Sequence, residues 1–347
     1  MKAILEEEQR LIVDVAERLA KNGLQNAQTR LSGGEWPEEP DKELMANWQG
    51  LAVPEEAGGN GGRLIDLALL IRSLTMRLTP CRYIDHVIAL QAAIGAGLQV
   101  NLGTADRELW CLAVSEPQTA PFGPFACKIN NNRIDGLKTG VPFGQKAETA
   151  VVALAEDQLA LAKPSDHILS SSADPLGEYA NLSFEGSISE QVSNNANSGL
   201  LRAAALIAAE LCGVAQGAVD NGAAYARERT QFGKPIGVYQ GVAHQLADAQ
   251  VATETAWSLT LYACWAIDSG SNDASNAVHA AKAKAGEAAV FSSERALQVH
   301  GGIGMTWEST PHLYLKRALA RSAFLGGTHW HRQQLGSALL HRLSRVS

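Results

Sequence analysis

The chain has 347 residues, 46% of them hydrophobic and 19% charged, enough to bury a large core in two or three structural units. Its formal net charge of −7, with no long Lys/Arg run, repels phosphate backbones and excludes nucleic acid as an expected partner. Five scattered cysteines without a CxxC pair suggest neither a disulfide framework nor a zinc site, and fit a reducing cytoplasm.

Aromatic residues make up only 6% while alanine and leucine abound, which favours helices over sheets. The opening segment sets Leu5, Ile12, Val15 and Leu19 on one helical face and Glu6, Arg10, Asp14 and Glu17 elsewhere, predicting an amphipathic helix. Its short apolar stretch and many acids argue against a secretory signal. Further Ala/Leu-rich segments at 43–52, 64–79 and 85–102 predict a helical unit over 1–105. It is interrupted by VPEEAGGNGG, where Pro54 and four glycines require a loop.

The texture then changes to short apolar runs, Leu109–Val114, Thr149–Leu154 and Leu159–Leu161, separated by turn-rich pieces such as NNNRIDG. This predicts a small β unit over 106–190, followed by SNNANSG as a linker. From 196 to 347 the helical pattern returns. Helices are predicted at 200–226, 241–268, 272–299 and 311–322, with Val242, Leu246, Ala249, Ala252, Ala256 and Leu259 stepping along one face, and would pack as an antiparallel bundle. The apolar run from Leu200 contains Arg202 and Glu210 and reads as a buried helix rather than a membrane span. The fold class expected is therefore mainly α with a small β domain.

Three strings invite chemistry. In YARERTQFGKP, Arg229 with Gln231 and Phe232 at a helix end offers a bidentate guanidinium and backbone donors to a diphosphate. In LQVHGGIGM, Gly301, Gly302 and Gly304 let a ligand approach the backbone, and Gln298 can hydrogen-bond an adenine or ribose. Taken alone, the first also reads as a solvated helix face and the second as an ordinary helix cap. In FLGGTHWH, His329 and His331 can titrate near neutrality, and His300 adjoins the glycine loop. Without a carboxylate or cysteine nearby the two form no ligand set, so no metal is expected and surface or interface packing is the plain reading.

Together, in this order and across nearly the whole chain, these strings and units resemble the acyl-CoA dehydrogenase family of flavoproteins. The resemblance implies an N-terminal helical domain, a middle β-barrel-like domain and a C-terminal four-helix bundle, with FAD as cofactor. It implies that Arg229, Gln231, Phe232 and Gln240 belong to a segment reaching the flavin pyrophosphate of a neighbouring subunit, and that Gln298, Gly301 and Gly302 meet its adenine end. Thr328 would meet FAD, and Ser115, in place of the usual Thr, the flavin or the thioester. The implied reaction removes an α proton and a β hydride from an acyl-CoA, which needs a carboxylate base opposite the flavin.

Two departures qualify the resemblance. Many members carry the base immediately before Gly-Thr, where this chain has Gly326; another branch carries it early in the first bundle helix, where it has Ala203. Glu210 is the substitute carboxylate considered. A Trp-x-Thr against the flavin ring is also replaced, by Gly140, Val141 and Pro142. The expectation is an oxidoreductase subunit acting on a bulky, steroid side-chain type of acyl-CoA. It would pair with a homologous base-bearing subunit or with itself, as a dimer or tetramer, and pass electrons to an electron-transfer flavoprotein. The alternatives are another flavin reaction or base on the same fold, or a non-catalytic scaffold subunit.

Overall fold

The computed structural model describes residues 5–102, 108–117 and 119–344. The expected boundary between the first two units, at 105/106, lies outside the described residues.

Five helices come first: α1 (Glu7–Leu19), α2 (Gly23–Leu31), α3 (Glu38–Asn47), α4 (Leu64–Met76) and α5 (Tyr83–Ala96). Helix α1 starts on a capping box in which Glu6 and Gln9 satisfy each other's orphan donors, and it buries Ile12 and Ala16. Helices α4 and α5 are apolar almost all round because they are covered on every side.

The β unit holds β1 (Trp110–Ala113), β2 (Lys128–Asn130), β3 (Arg133–Pro142), β4 (Thr149–Leu154), β5 (Gln158–Ala162), β6 (Asp166–Ser170) and β7 (Tyr179–Ser193). The strand order is β1-β4-β5-β7-β3-β2, with β6 also on β7; β1–β4 is parallel and the other pairs are antiparallel. NNNRIDG, taken as a separator, is the tip of the β2–β3 hairpin. Asn131 and Asn132 both take positive φ, 47° and 63°, the two-residue turn that matches strand twist. A register shift between Lys138 and Val141 bulges β3 at Thr139–Gly140, where Gly140 has φ 59° and donates its N–H to Asn181.

The expected linker shrinks to Asn194 and Asn195, because Ser193 ends β7 and Ala196 begins α6 (Ala196–Glu228). Asp157 in the β4–β5 turn accepts from the N–H groups of Ala196 and Asn197, so the sheet itself caps that helix. A short hairpin, β8 (Thr230–Gln231) and β9 (Lys234–Pro235), precedes α7 (Gln240–Asp268), α8 (Ala274–His300), α9 (Pro311–Ala323) and α10 (Thr328–Leu343). The last was not anticipated from the sequence; it packs on α8 as a fifth helix of the bundle.

Helix α6 is long and apolar enough by composition to cross a bilayer, yet 83% of its most apolar stretch is buried inside the fold. It touches α4, α5, α7, α8 and α9. Its close approach depends on glycine: an added Cβ at Gly217 would meet the Tyr314 ring at 2.6 Å and the Met76 carbonyl oxygen closer still.

Candidate active site

The turn 324–327 joins α9 to α10, and Leu325 (φ 53°) and Gly326 (φ 96°) bend it through the left-handed region. Four side chains fix it from behind. Lys282 Nζ on α8 donates to the carbonyl oxygens of Ser322 and Gly326, both at 2.9 Å. Thr328 Oγ1 donates to the Ala283 carbonyl at 3.1 Å. His331 Nε2 lies 2.9 Å from the Leu325 carbonyl oxygen, and His331 Nδ1 lies 2.8 Å from His279 Nδ1. A carbonyl only accepts, so His331 donates from Nε2 and its neutral Nδ1 accepts from His279.

Burial drives the ionisable groups here toward neutrality. It pushes His279 down to about 4; burial, aided by Lys282 and His279, takes His331 to about 3. Burial and then Arg321, against Glu210, lower Lys282 to about 7. His331 is therefore neither a surface residue nor one that titrates near neutrality, as the sequence had suggested; its side chain is fully buried. His329 is exposed and hydrogen-bonds Gln333.

The loop after β1 closes over this turn. Phe122 stacks on Trp330 with ring centroids 4.9 Å apart, and also packs against His279 and His331. That stack brings the β unit, with Ser115 at the start of the same loop, onto the first turn of α10. Ser115 is half-buried and its carbonyl accepts from Thr139 N–H at 2.8 Å.

Position 326 has no room for a carboxylate. A Cβ built there would stand 2.8 Å from Trp330 Cε3 and 2.9 Å from His331 Nε2, on a backbone that disfavours any side chain. Ala203 is fully buried within α6. Glu210 is fully buried and engaged: Arg321 Nε and Nη2 reach its Oε2 at 2.8 and 2.7 Å, and Arg317 Nη2 stands 2.9 Å from Oε1. Arg317 also binds Asp174 and Arg321 binds Asp85, each at 2.9 Å. Burial alone would raise the Glu210 pKa, but Arg321 and Arg317 outweigh it and hold the carboxyl below its usual range. The carboxylate thus clamps α6 to α9, while Asp85 and Asp174 extend the clamp to α5 and the β unit.

The other expected contacts lie outward. Arg229, Gln231 and Phe232 are exposed around the β8–β9 hairpin, Phe232 by 92%, and Gln240 is exposed at the start of α7. Among the described residues no carboxylate pairs with Arg229. Gln298, Gly301 and Gly302 line a cleft of about 500 Å³ with Glu294, Leu297 and Met305. Tyr225 stacks on His300 at 4.1 Å and accepts from Arg229 N–H through its carbonyl, so the hairpin and the glycine loop share one end of the bundle. Thr328 lines a second cleft of about 600 Å³, with Gly286, Glu287, Phe291 and Ser322; Glu294 borders both clefts. No hydrogen bond or ring contact among the described residues joins the hairpin to the Thr328 turn.

This donor set suits a dinucleotide. Gly301 has φ 64°, and an added Cβ at Gly301 or Gly302 would meet nothing within 4 Å, which leaves an open backbone edge for a flat ligand. Arg229 adds an unpaired guanidinium for phosphate at the same end.

Residues 194–340 match the acyl-CoA dehydrogenase C-terminal domain family. The chain is 31% identical to the acyl-CoA dehydrogenase IpdE2 of Mycobacterium tuberculosis over 271 residues, 77% of this chain and 76% of that protein. The chain belongs to the acyl-CoA dehydrogenase family. As a member of this class of flavin-dependent oxidoreductases, it is also 32% identical over 289 residues to FadE34 of the same organism, covering 82% of this chain but only 40% of FadE34's length. Among solved structures, the Tcur3481–Tcur3483 steroid ACAD superposes with a TM-score of 0.87 at 26% identity, over 97% of this chain and 99% of that one. The mainly helical architecture with a small β domain is thus that of the acyl-CoA dehydrogenases.

The sequence reading missed Lys282, His279 and Phe122. A signal existed for the first: Val278, Ala281, Lys282 and Ala285 share a buried helical face, so a lysine stands inside an apolar stripe. For Phe122, no periodic pattern surrounds the residue.

Proposed function

We propose that this chain is the base-lacking subunit of a heteromeric acyl-CoA dehydrogenase. With a homologous, base-bearing partner it completes an FAD site at which a bulky acyl-CoA, of the steroid side-chain type, is desaturated between Cα and Cβ. The observation carrying this reading is Gly326: its φ of 96° and the overlap that a Cβ there would have with Trp330 and His331 disfavour a proton-accepting carboxylate, while the outward residues for a dinucleotide remain.

Each side chain then has a defined task. Arg229 would hold the diphosphate, and Gln298 with the Gly301–Gly302 edge would take the adenine end. Because these residues face away from their own chain, they serve a site shared with the neighbour. Ser115 offers a hydroxyl, and Thr328, whose proton goes to the Ala283 carbonyl, an acceptor oxygen, where Phe122 on Trp330 holds the β unit against α10. FAD, when bound, supplies the hydride acceptor. The α proton goes to a carboxylate of the partner, since Glu210 is held by two arginines and positions 326 and 203 carry none. Loss of such a base costs about 10²–10⁴-fold in rate. The names of IpdE2, described as an acyl-CoA dehydrogenase, and of the Tcur3481–Tcur3483 steroid ACAD support the chemistry and the substrate class. An electron-transfer flavoprotein in a reducing cytoplasm would take the electrons.

The test is reconstitution. Alone, the chain should turn over acyl-CoA negligibly; co-expressed with a base-bearing homologue it should gain flavin absorbance and activity. Strong turnover by the purified chain alone would refute the reading. A complex that stays colourless with added FAD would leave a scaffold role in its place.

A further inference from the structure

We propose that Lys282 is a positioning residue: by tying the last turn of α9 to the Gly326 carbonyl, it holds the α9–α10 turn in the form that presents Thr328 and closes position 326. The link to FAD rests on the proposed function; the tie itself does not.

Lys282 is 1% exposed, and an isolated amine at such a depth is costly unless its donors are used. Both acceptors need it. The last carbonyls of a helix have no partner within the helix, and Ser322 O is one of them; Gly326 O follows a left-handed bend that no ladder serves. A lysine amine has three N–H groups when charged and two when neutral, so it satisfies both carbonyls in either state. The hold therefore does not depend on protonation.

The surroundings make the tie specific. Glu210 of α6, Arg321 of α9 and His331 of α10 are the ionisable groups that act on this amine. The next residue of α8, Ala283, accepts from Thr328, so two successive residues of one helix grip both ends of the turn. His331, which bonds Leu325 O from the other side, and Trp330, which carries Phe122, follow within the first turn of α10. Releasing Gly326 O would free the turn, and with it Thr328 and the seat of the β-unit loop.

Backbone hydrogen exchange followed by peptide mapping tests this on the full chain in its complex. Lys282→Met keeps the length and removes the donors. It should speed exchange across 322–331 by about ten-fold or more, while peptides from α6 and α7 keep their native rates. FAD affinity of the complex should fall by a similar factor. Unchanged exchange over 322–331, or acceleration spread equally through the bundle, would overturn the proposal. Should Lys282→Met not fold, Lys282→Leu, which likewise removes the donors, is judged by the same two criteria. A complex without flavin in either form defeats the functional reading alone, because the exchange result still decides the role of Lys282.

Discussion

Arg321 grips Glu210 through two nitrogens, Nε at 2.8 Å and Nη2 at 2.7 Å, inside a cluster that neither residue could occupy alone. Three carboxylates, Asp85, Asp174 and Glu210, share two guanidiniums there, and the set ties α5, the β unit, α6 and α9. Removing one member of a buried ion pair costs about 3–5 kcal/mol, since its partner stays buried and uncompensated. Glu210→Gln should therefore lower the denaturation midpoint strongly. If Glu210 were the proton acceptor, the variant would instead keep its stability and flavin and lose only turnover, which paired unfolding and rate measurements distinguish.

Restoring a carboxylate at the usual place should not restore chemistry. Gly326→Glu would put a Cβ against Trp330 and His331 on a backbone at φ 96°. Such strain costs about 1–3 kcal/mol, and the turn would have to open before the carboxylate could point anywhere useful. The variant is expected to be less stable than the native chain and no more active by itself. A large gain in turnover from this single change would show that the turn is softer than its contacts imply.

These two sites mark how far the sequence could be read. The bundle helices were legible because apolar residues recur every three or four positions, whereas Gly326 and Ala203 could be read as missing carboxylates only through the resemblance to the family. Strand β7 was not legible, because its outward positions are polar and its partners lie far away in sequence, so only the folded sheet sets its alternation. The turn chemistry escaped for the same reason. His331 and Lys282 sit 49 residues apart and acquire meaning only when α10 packs on α8.

The buried lysine predicts a pH dependence with a definite sign. Its pKa falls from the ordinary 10.5 to about 7 on folding, chiefly by burial, so the unfolded chain binds more protons than the native one between those values. Stability attributable to this residue is therefore complete above about 10.5 and is lost as the pH falls toward 7. Comparing native protein with Lys282→Met in chemical denaturation, the gap between their midpoints should move in favour of the native chain as the pH rises from 7 to 9. A gap that stays constant over that range would mean the lysine keeps its charge when buried.

Arg229 offers the cleanest separation of binding from folding. Its side chain is exposed beyond the end of α6 and has no carboxylate partner among the described residues, so its loss should change the free energy of unfolding by no more than about 0.5 kcal/mol. Diphosphate recognition depends on the planar fork of the guanidinium, which lysine cannot reproduce. In the complex with a base-bearing partner, Arg229→Lys should weaken FAD retention by about ten-fold and Arg229→Ala by more, charge-assisted hydrogen bonds contributing about 1.5–3 kcal/mol. Equilibrium dialysis against FAD, run beside thermal unfolding of the same samples, measures both. Flavin retained equally by native, Lys and Ala forms would place the diphosphate elsewhere, and would remove the hairpin from the shared site.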